Sequence, residues 1–337
     1  MGTAERKYWS ILNPMRPAAE TAAAALAAED AGLEGCFSIQ LQSNPFVPLA
    51  AAAVSTARVR LGTGIALGFT RSPYETALAA MELDVMSGGR FTLGLGTSVR
   101  AWHEDLYGVD YDPPVARLAE AIQIIRLFTS GQAAARERFE GRFWRLDFTR
   151  SELRTPLRPD LPIWVAALRS PLCRVAGQYA DGLIGHPSWS LDWAKLQVNG
   201  RFAEGLAASG RTRSQVEVNL WLCVAPNPDR AESVHDAKRQ VARYASIAQY
   251  EAYYGAHGYF AEARALQAAA AARQRDLASL VPDEMAKTFV VTGTPGDVAE
   301  QIEPLWEVAD SLVLQPPPVP REQFAAYQTR IADTFYG

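Results

Sequence analysis

The 337-residue chain is expected to fold as a parallel α/β barrel of the (β/α)8, or TIM, type. Three observations carry this expectation. Eight short apolar runs alternate with helical segments. Each run is continuous rather than alternating, which suits strands covered on both faces, as parallel sheets require. Proline follows a capping residue at one helix start after another, where its fixed φ helps and its missing N–H costs nothing. Eight strands interleaved with helices is the count of a closed barrel. A doubly wound parallel sheet is the alternative that the same pattern allows.

The runs are Tyr8–Leu12, Cys36–Ile39, Val59–Leu67, Phe91–Leu95, Ile163–Ala167, Gly182–Gly185, Val218–Ala225 and Ser311–Leu314. Ser72-Pro73 opens a helix to about Met86, with Tyr74, Ala77, Met81 and Val85 on one face. Asp112-Pro113 opens another to about Thr129, aligning Val115, Leu118, Ile122 and Ile125. Thr294-Pro295 opens a third, with Asp297 completing a capping-box-like pair and Val298, Ile302, Leu305 and Ala309 as its stripe. Arg16-Pro17 and Ser170-Pro171 are weaker versions of the same signal. A closing helix over Glu322–Phe335 presents Phe324, Tyr327, Ile331 and Phe335 to the barrel wall. The whole of 1–337 reads as one domain with two insertions, 130–160 and 227–290. The first contains Gly141-Arg142-Phe143-Trp144 and reads as a surface hairpin or lid piece. The second carries Tyr250, Tyr253, Tyr254, Tyr259 and Phe260, which either pack helices together or form a flap over the barrel mouth.

A chain of this length can bury roughly 75% of its unfolded surface and needs no staple. With 48% hydrophobic and 21% charged residues it has the composition of a globular enzyme. A net charge of −4 argues against a nucleic-acid partner, which demands a basic face. Cys36, Cys173 and Cys223 lie far apart in apolar runs and read as reduced core residues. The alanine-rich run at 18–28 is too short and too charged to span a bilayer, and no signal peptide is evident. A soluble, cytoplasmic protein is expected.

Candidate chemistry gathers where strands end, because ligands of such folds collect there. Gly62-Thr63-Gly64 followed by Gly68 has the wrong spacing for a dinucleotide fingerprint, and the strand continues through Ile65–Leu67 before any helix begins. The better reading is a kink or bulge at Gly64-Ile65 that aims Ile65 into the barrel mouth. Gly94-Leu95-Gly96-Thr97-Ser98 is either a tight turn or a seat for a polar ring edge. Ala166 to Pro171 ends a strand and starts a helix, and a helix N-terminus beside Arg169 suits a phosphate. His186 directly follows the sixth run and is a candidate proton donor or substrate contact. His103, beside Glu104, is a candidate substrate contact; His257 lies in the aromatic segment, and His235 reads as solvated. Trp9, Trp102 and Trp189 near strand ends or following loops suggest a large, weakly charged substrate. No pair of these histidines has metal-ligand spacing, and no serine sits in a nucleophile elbow. The chemistry is therefore expected from a bound organic cofactor.

The stretch LGTGIALGFTRSPYETALAAMELDVMSGGRFTLGLGTS resembles the core of the luciferase-like barrel oxidoreductases. The resemblance continues through DPPVARLAEAIQIIR, LPIWVAALRSP, AGQYADGLI and VTGTPGDVAEQI, and the pattern is most similar to the deazaflavin (coenzyme F420)-dependent branch. It implies a non-prolyl cis peptide at Gly64-Ile65 that backs one face of a tricyclic ring. It also implies that Thr97 and Ser98 line the ring or its ribityl chain, and that Ala167, Leu168, Arg169 and Ser170 receive the phosphate. Many relatives place a histidine just after the second strand, where this chain has Ile39-Gln40, and sugar-phosphate dehydrogenases of the family carry a glutamate where this chain has Val99. Gln40 can orient a carbonyl or the ring but cannot act as a general base. Alcohol oxidation is thereby disfavoured, and hydride transfer from reduced F420 to an unsaturated C=C or C=N bond is expected, with water or His186 supplying the proton. An FMNH2-dependent monooxygenase is the alternative, and a cofactor-binding protein without catalysis the third reading. The resemblance implies a homodimer.

Overall fold

The computed structural model describes residues 6–40, 43–135 and 137–336. Its strands are β1 (Tyr8–Leu12), β2 (Gly35–Ser38), β3 (Arg60–Thr63), β4 (Ala66–Leu67), β5 (Phe91–Gly96), β6 (Arg138–Glu140), β7 (Arg145–Asp147), β8 (Ile163–Ala167), β9 (Gly182–Gly185), β10 (Glu217–Pro226), β11 (Val291–Gly293) and β12 (Ser311–Gln315). The order β1-β2-β3-β5-β8-β9-β10-β12, with β12 beside β1, closes an eight-stranded parallel barrel. The barrel expected from the eight apolar runs is the fold observed. One expected strand, 59–67, is split into β3 and β4, and β11 adds a short parallel strand to β10 outside the ring. At three residues, β11 is too brief to stand out ahead of the Thr294 helix cap.

Two compact units are traced by contact density. The first comprises Trp9–Ile184 with Gly200–Glu217. Here Trp9, in register with Gly35, stacks on Phe37 at 4.3 Å between ring centroids. The Arg60 guanidinium sits 5.2 Å from the ring centroids of both Trp9 and Trp164 and pairs bidentately with Glu217 at 2.8 and 3.0 Å. A Cβ at Gly35 or Gly182 would strike these indoles, so both glycines are required by close approach. Gly35, Arg60, Gly182 and Glu217 all begin their strands, so Trp9 plugs the N-terminal end of the barrel rather than standing near the mouth. The expectation for Trp9 is corrected accordingly: the second residue of β1 lies at the wrong end of its strand.

The helix Pro73–Met86 starts as expected, with the Ser72 hydroxyl accepting the Glu75 amide at 3.0 Å. Its buried face differs at the C-terminal end. Val85 is 47% exposed and Asp84 is buried, because Arg158 meets the Asp84 carboxylate at 2.9–3.2 Å. The helix Pro114–Thr129 buries Leu118, Ile122 and Ile125 as expected. β6 and β7 form the expected hairpin, and Glu120 caps its turn by accepting the amides of Arg142, Phe143 and Trp144, each at 2.9 Å.

The second unit holds the residues up to Tyr8, Gly185–Asn199 and those from Val218 onward. The helix Pro295–Ile302 carries the capping box of Thr294 and Asp297. The closing helix Arg321–Phe335 buries Tyr327 and Ile331, and the Tyr327 hydroxyl donates to Asp236 at 3.0 Å. Tyr253, Tyr254, His257 and Phe289 form one edge-packed cluster, so most of the aromatic patch serves helix packing. Cys36, Cys173 and Cys223 are buried thiols whose pKa values burial raises. No helix among the described residues is long and apolar enough to cross a membrane.

Glu29 closes the helix Ala18–Asp30 onto the start of β3. Its carboxylate accepts the Val59 and Ala57 amides at 2.9 Å and the Arg58 amide between them. The Val59 and Arg58 amides foremost hold its pKa below the ordinary glutamate value, against the opposing effect of burial. A carboxyl depressed in the folded state adds stability that is present above the unfolded pKa of about 4.3 and lost as pH falls through the folded value. Urea unfolding across pH 2–7 should therefore show E29Q less stable at pH 7 and less pH-dependent below about 4.5 than the parent.

Candidate active site

The site in the first unit is built on one irregularity of the barrel wall. β3 pairs β5 at Gly62↔Thr92, and β4 resumes at Ala66↔Leu95. Four steps of chain (62 to 66) face three (92 to 95), which defines a β-bulge. The Thr63 hydroxyl replaces the missing ladder by donating to the Gly94 carbonyl at 2.7 Å and accepting the Gly94 amide at 2.9 Å. A Cβ at Gly94 would run into the Thr63 carbonyl. The Gly64–Ile65 peptide within the bulge is cis, as the resemblance implies.

Gln40 clamps this bulge from both sides. Its backbone amide donates to the Ile65 carbonyl at 3.1 Å, and its side-chain oxygen accepts the Leu67 amide at 3.0 Å. Gly64 N–H is taken by the Ser38 carbonyl at 2.8 Å, so this amide and the Ile65 carbonyl keep hydrogen bonds outside the ladder. Gln40 Oε1 also accepts Arg71 Nη1 at 3.0 Å, and Nε2 donates to the Tyr107 hydroxyl at 2.7 Å. Leu67 N–H and Arg71 can only donate, which fixes the orientation of the amide. Gln40 is 3% exposed.

Ile65 extends over Gly96, where a Cβ would collide with its side chain, and Ala166 lies beside that same spot. Gly64, Ile65, Ala166 and Leu168 keep exposed surface while their strand neighbours are buried. Ile65 and Ala166, meeting over Gly96, make a small apolar shelf. Thr97 is buried at its edge, and Ser98 turns the chain at φ 50°, its carbonyl accepting the Tyr111 hydroxyl at 2.9 Å. Ala167 is buried and Arg169 exposed; the helix Ser170–Tyr179 follows with no side-chain cap on its first amides. The Arg169 side chain has no hydrogen bond or ion pair among the described residues. An apolar shelf, with an uncapped helix start and an unpaired guanidinium following the next strand, fits a planar heterocycle bearing a phosphate tail.

Three expected contacts change. His103 has no exposed surface: its ring packs on Phe69 at 4.5 Å and near Tyr111 at 5.2 Å, with Nδ1 on the Val99 carbonyl at 3.2 Å. Burial lowers its pKa, and the residue is a core histidine rather than a substrate contact. Trp189, in the second unit, is 3% exposed and packs over Gly185, so its ring is a packing element too. His186, also in the second unit, accepts the Ser188 amide on Nδ1 at 3.1 Å and meets the Tyr250 hydroxyl through Nε2 at 3.0 Å. An amide on Nδ1 places the ring proton of the neutral imidazole on Nε2. Burial pushes the His186 pKa down to about 3, which removes the imidazolium that a histidine acid would use. The sequence reading missed Arg71 and Tyr107, and it named Tyr250 only as one of the aromatic segment, not as a partner of His186. Arg71 alone had a signal, being the first residue of the Arg71-Ser72-Pro73 helix start beside a strand end.

These features define an oxidoreductase barrel that works on a bound organic cofactor. Over residues 4–310 the chain matches the luciferase-like monooxygenase family, and it belongs to that family. Rv3520c of Mycobacterium tuberculosis, whose name assigns it provisionally to the coenzyme F420-dependent oxidoreductases, is 31% identical over 322 residues, 90% of each chain. The 5,10-methylenetetrahydromethanopterin reductase of Archaeoglobus fulgidus is 26% identical over 282 residues, 82% of each chain. The solved structure of the coenzyme F420-dependent tetrahydromethanopterin reductase of Methanopyrus kandleri shares the fold with a TM-score of 0.80 at 23% identity, covering 98% of both chains.

A depressed His186 pKa means that the ring stays neutral from pH 8 down past pH 5. Its imidazole carbon-proton shifts, followed by NMR with H186Q for assignment, should hold constant over that range. A titration midpoint near ~6.5 would show instead an open, solvated ring.

Proposed function

We propose that this enzyme transfers a hydride from reduced coenzyme F420 to an unsaturated C=C or C=N bond of an organic substrate. The observation that carries the proposal is the Ile65 shelf over Gly96, held by Gln40 at the position where an alcohol-oxidising relative would need a base. The oxygen of Gln40 is committed to Leu67 and Arg71, and a carboxamide takes up no proton at neutral pH. An alcohol therefore finds no group here to accept its hydroxyl proton. A C=C or C=N bond needs none, since it gains one hydride at one atom and one proton, from water, at the other. The cofactor, when bound, supplies the hydride. Ile65 would cover one ring face and leave the other for substrate, while Thr97 and Ser98 border the ring. The main chain from Ala167 to Ser170, with Arg169, would hold the phosphate. Positioning at about 3–3.5 Å would supply most of the rate. The names of the Mycobacterium and Archaeoglobus relatives, an F420-dependent oxidoreductase and a reductase, support this reading.

An FMNH2-dependent monooxygenase is the second reading, favoured by the family's name and by a shelf that suits either tricyclic ring. Titration of the apoprotein with F420 and with FMN, followed by oxygen-uptake assays, separates the two. Tighter binding of F420, with reduced F420 consumed anaerobically in the presence of an unsaturated acceptor, is the expected result. Tight FMN binding with substrate-dependent oxygen uptake would replace the proposal, and binding of neither ring would leave a protein without this catalysis.

G96A tests the shelf itself. The new methyl meets the far end of the Ile65 side chain, which can rotate away, so the protein should fold and melt close to the parent. Displacing that side chain should weaken F420 binding by roughly tenfold, the equivalent of ~1.4 kcal/mol, read by fluorescence titration.

A further inference from the structure

Most half-buried arginines of the first unit are well satisfied; Arg71 and Arg117, whose buried Nε has no partner, are the exceptions, and Arg117 at least lies 3.9 Å from the Asp110 carboxylate. Arg60 is paired with Glu217 and Glu34, and Arg158 with Asp84. Arg126 meets Asp181, and Arg211 donates to the carbonyls of Ala180 and Gly177. Arg90 donates to the carbonyls of Ala53, Thr56, Val59 and Ser87. Arg71 is equally half-buried, yet among the described residues it has no carboxylate partner. Its one hydrogen bond is to Gln40, and its guanidinium rests 5.5 Å from the Phe46 ring centroid. Removing a cation from water without a counter-ion is costly, so such a group is normally matched by an anion.

Tyr107 completes the arrangement. Its oxygen accepts the Gln40 amide, so its own hydroxyl hydrogen points elsewhere, and 37% of the residue is exposed. Two donors, a guanidinium and a phenol, are thus mounted on the two ends of one buried carboxamide. That carboxamide is also the clamp of the Ile65 bulge. A cationic fork beside a hydroxyl is the donor set that recognises a carboxylate.

We propose that Arg71 and Tyr107, oriented by Gln40, form a carboxylate seat beside the shelf, so that the substrate is an unsaturated carboxylic acid. The identity of the substrate rests on the hydride-transfer reading; the seat itself does not, and its test needs no cofactor. This replaces the weakly charged substrate expected from the aromatic residues. A carboxylate held at Arg71 would fix the position of the adjoining unsaturated carbon relative to Ile65.

The test is calorimetric titration of the full-length apoprotein with cinnamate, crotonate and benzoate, with cinnamyl alcohol as the uncharged counterpart. The parent should bind at least one of the acids saturably and bind the alcohol more weakly. R71Q should lose about 10–100-fold in affinity, Y107F several-fold, and R71K less than R71Q, because it keeps the charge but not the fork. R150Q, at an exposed arginine remote in sequence, should match the parent. Should R71Q lose its melting transition, R71K and Y107F decide in its place. The proposal is overturned if none of the three acids binds saturably, if cinnamyl alcohol binds as tightly as cinnamate, or if the Arg71 variants bind like the parent. A loss of F420 affinity in R71Q with carboxylate binding unchanged would also overturn it, assigning Arg71 to the cofactor's own acidic tail. Failure of F420 to bind the parent would count against the hydride-transfer reading and leave the carboxylate result standing.

Discussion

The site depends on how the main chain between Gly64 and Leu67 is held once it leaves the barrel ladder. A bulge strips a strand of its regular partners, and each unpaired amide or carbonyl in a buried wall is costly. Here the replacements come from two side chains and the neighbouring strand end. Thr63 bonds both backbone groups of Gly94, Ser38 takes the Gly64 amide, and Gln40 takes both the Ile65 carbonyl and the Leu67 amide. The bulge is thereby a fixed shelf and not a loose loop. Gly96 and Gly94 are part of the same device, because only the absence of a Cβ lets Ile65 and the Thr63 carbonyl come so near β5.

The opposite end of the strands is organised by different physics. Trp9, Phe37 and Trp164 fill the barrel interior where the strands begin, and Arg60 lies against the indoles while paired with Glu217. Dense aromatic packing and a charge matched on its spot serve stability, although the indole N–H groups of Trp9 and Trp164 are buried without hydrogen-bond partners. At the strand C-termini the side chains are smaller and the cations less well matched: glycines, threonine, serine, an unpaired Arg169 and a singly bonded Arg71. This division is the one expected of barrel enzymes, whose C-terminal face carries function.

Much of the fold was legible because burial on both faces writes itself as continuous apolar runs, and because proline after a capping residue marks a helix start. The same arithmetic misplaced Val85, since a helical stripe counts only apolar residues and could not register that Arg158 draws Asp84 inward instead. The kink at Gly64-Ile65 was legible from glycine spacing and from the resemblance. The site's polar partners were not. Gln40, Arg71 and Tyr107 are 31 and 36 residues apart along the chain, and only the bulge brings them to one amide. His103 and His186 were legible as residues after strand ends but not as a buried and a half-buried ring, because burial depends on neighbours such as Phe69, Tyr111 and Tyr250 contributed by other segments.

Where the resemblance implies a histidine after the second strand, the glutamine of this chain has a structural role of its own. A neutral imidazole offers one donor and one acceptor, on nitrogens held at opposite sides of a ring. The carboxamide of Gln40 accepts two donors on a single oxygen and donates from the adjoining nitrogen, all within one planar group. No histidine could bond Leu67 and Arg71 together at one atom while also serving Tyr107. The residue at this position therefore sets two properties at once: whether an alcohol can be deprotonated, and whether a cation is held beside the shelf. The proposed hydride transfer and the proposed carboxylate seat therefore meet at Gln40, which offers no base to an alcohol and bonds Arg71 beside the bulge.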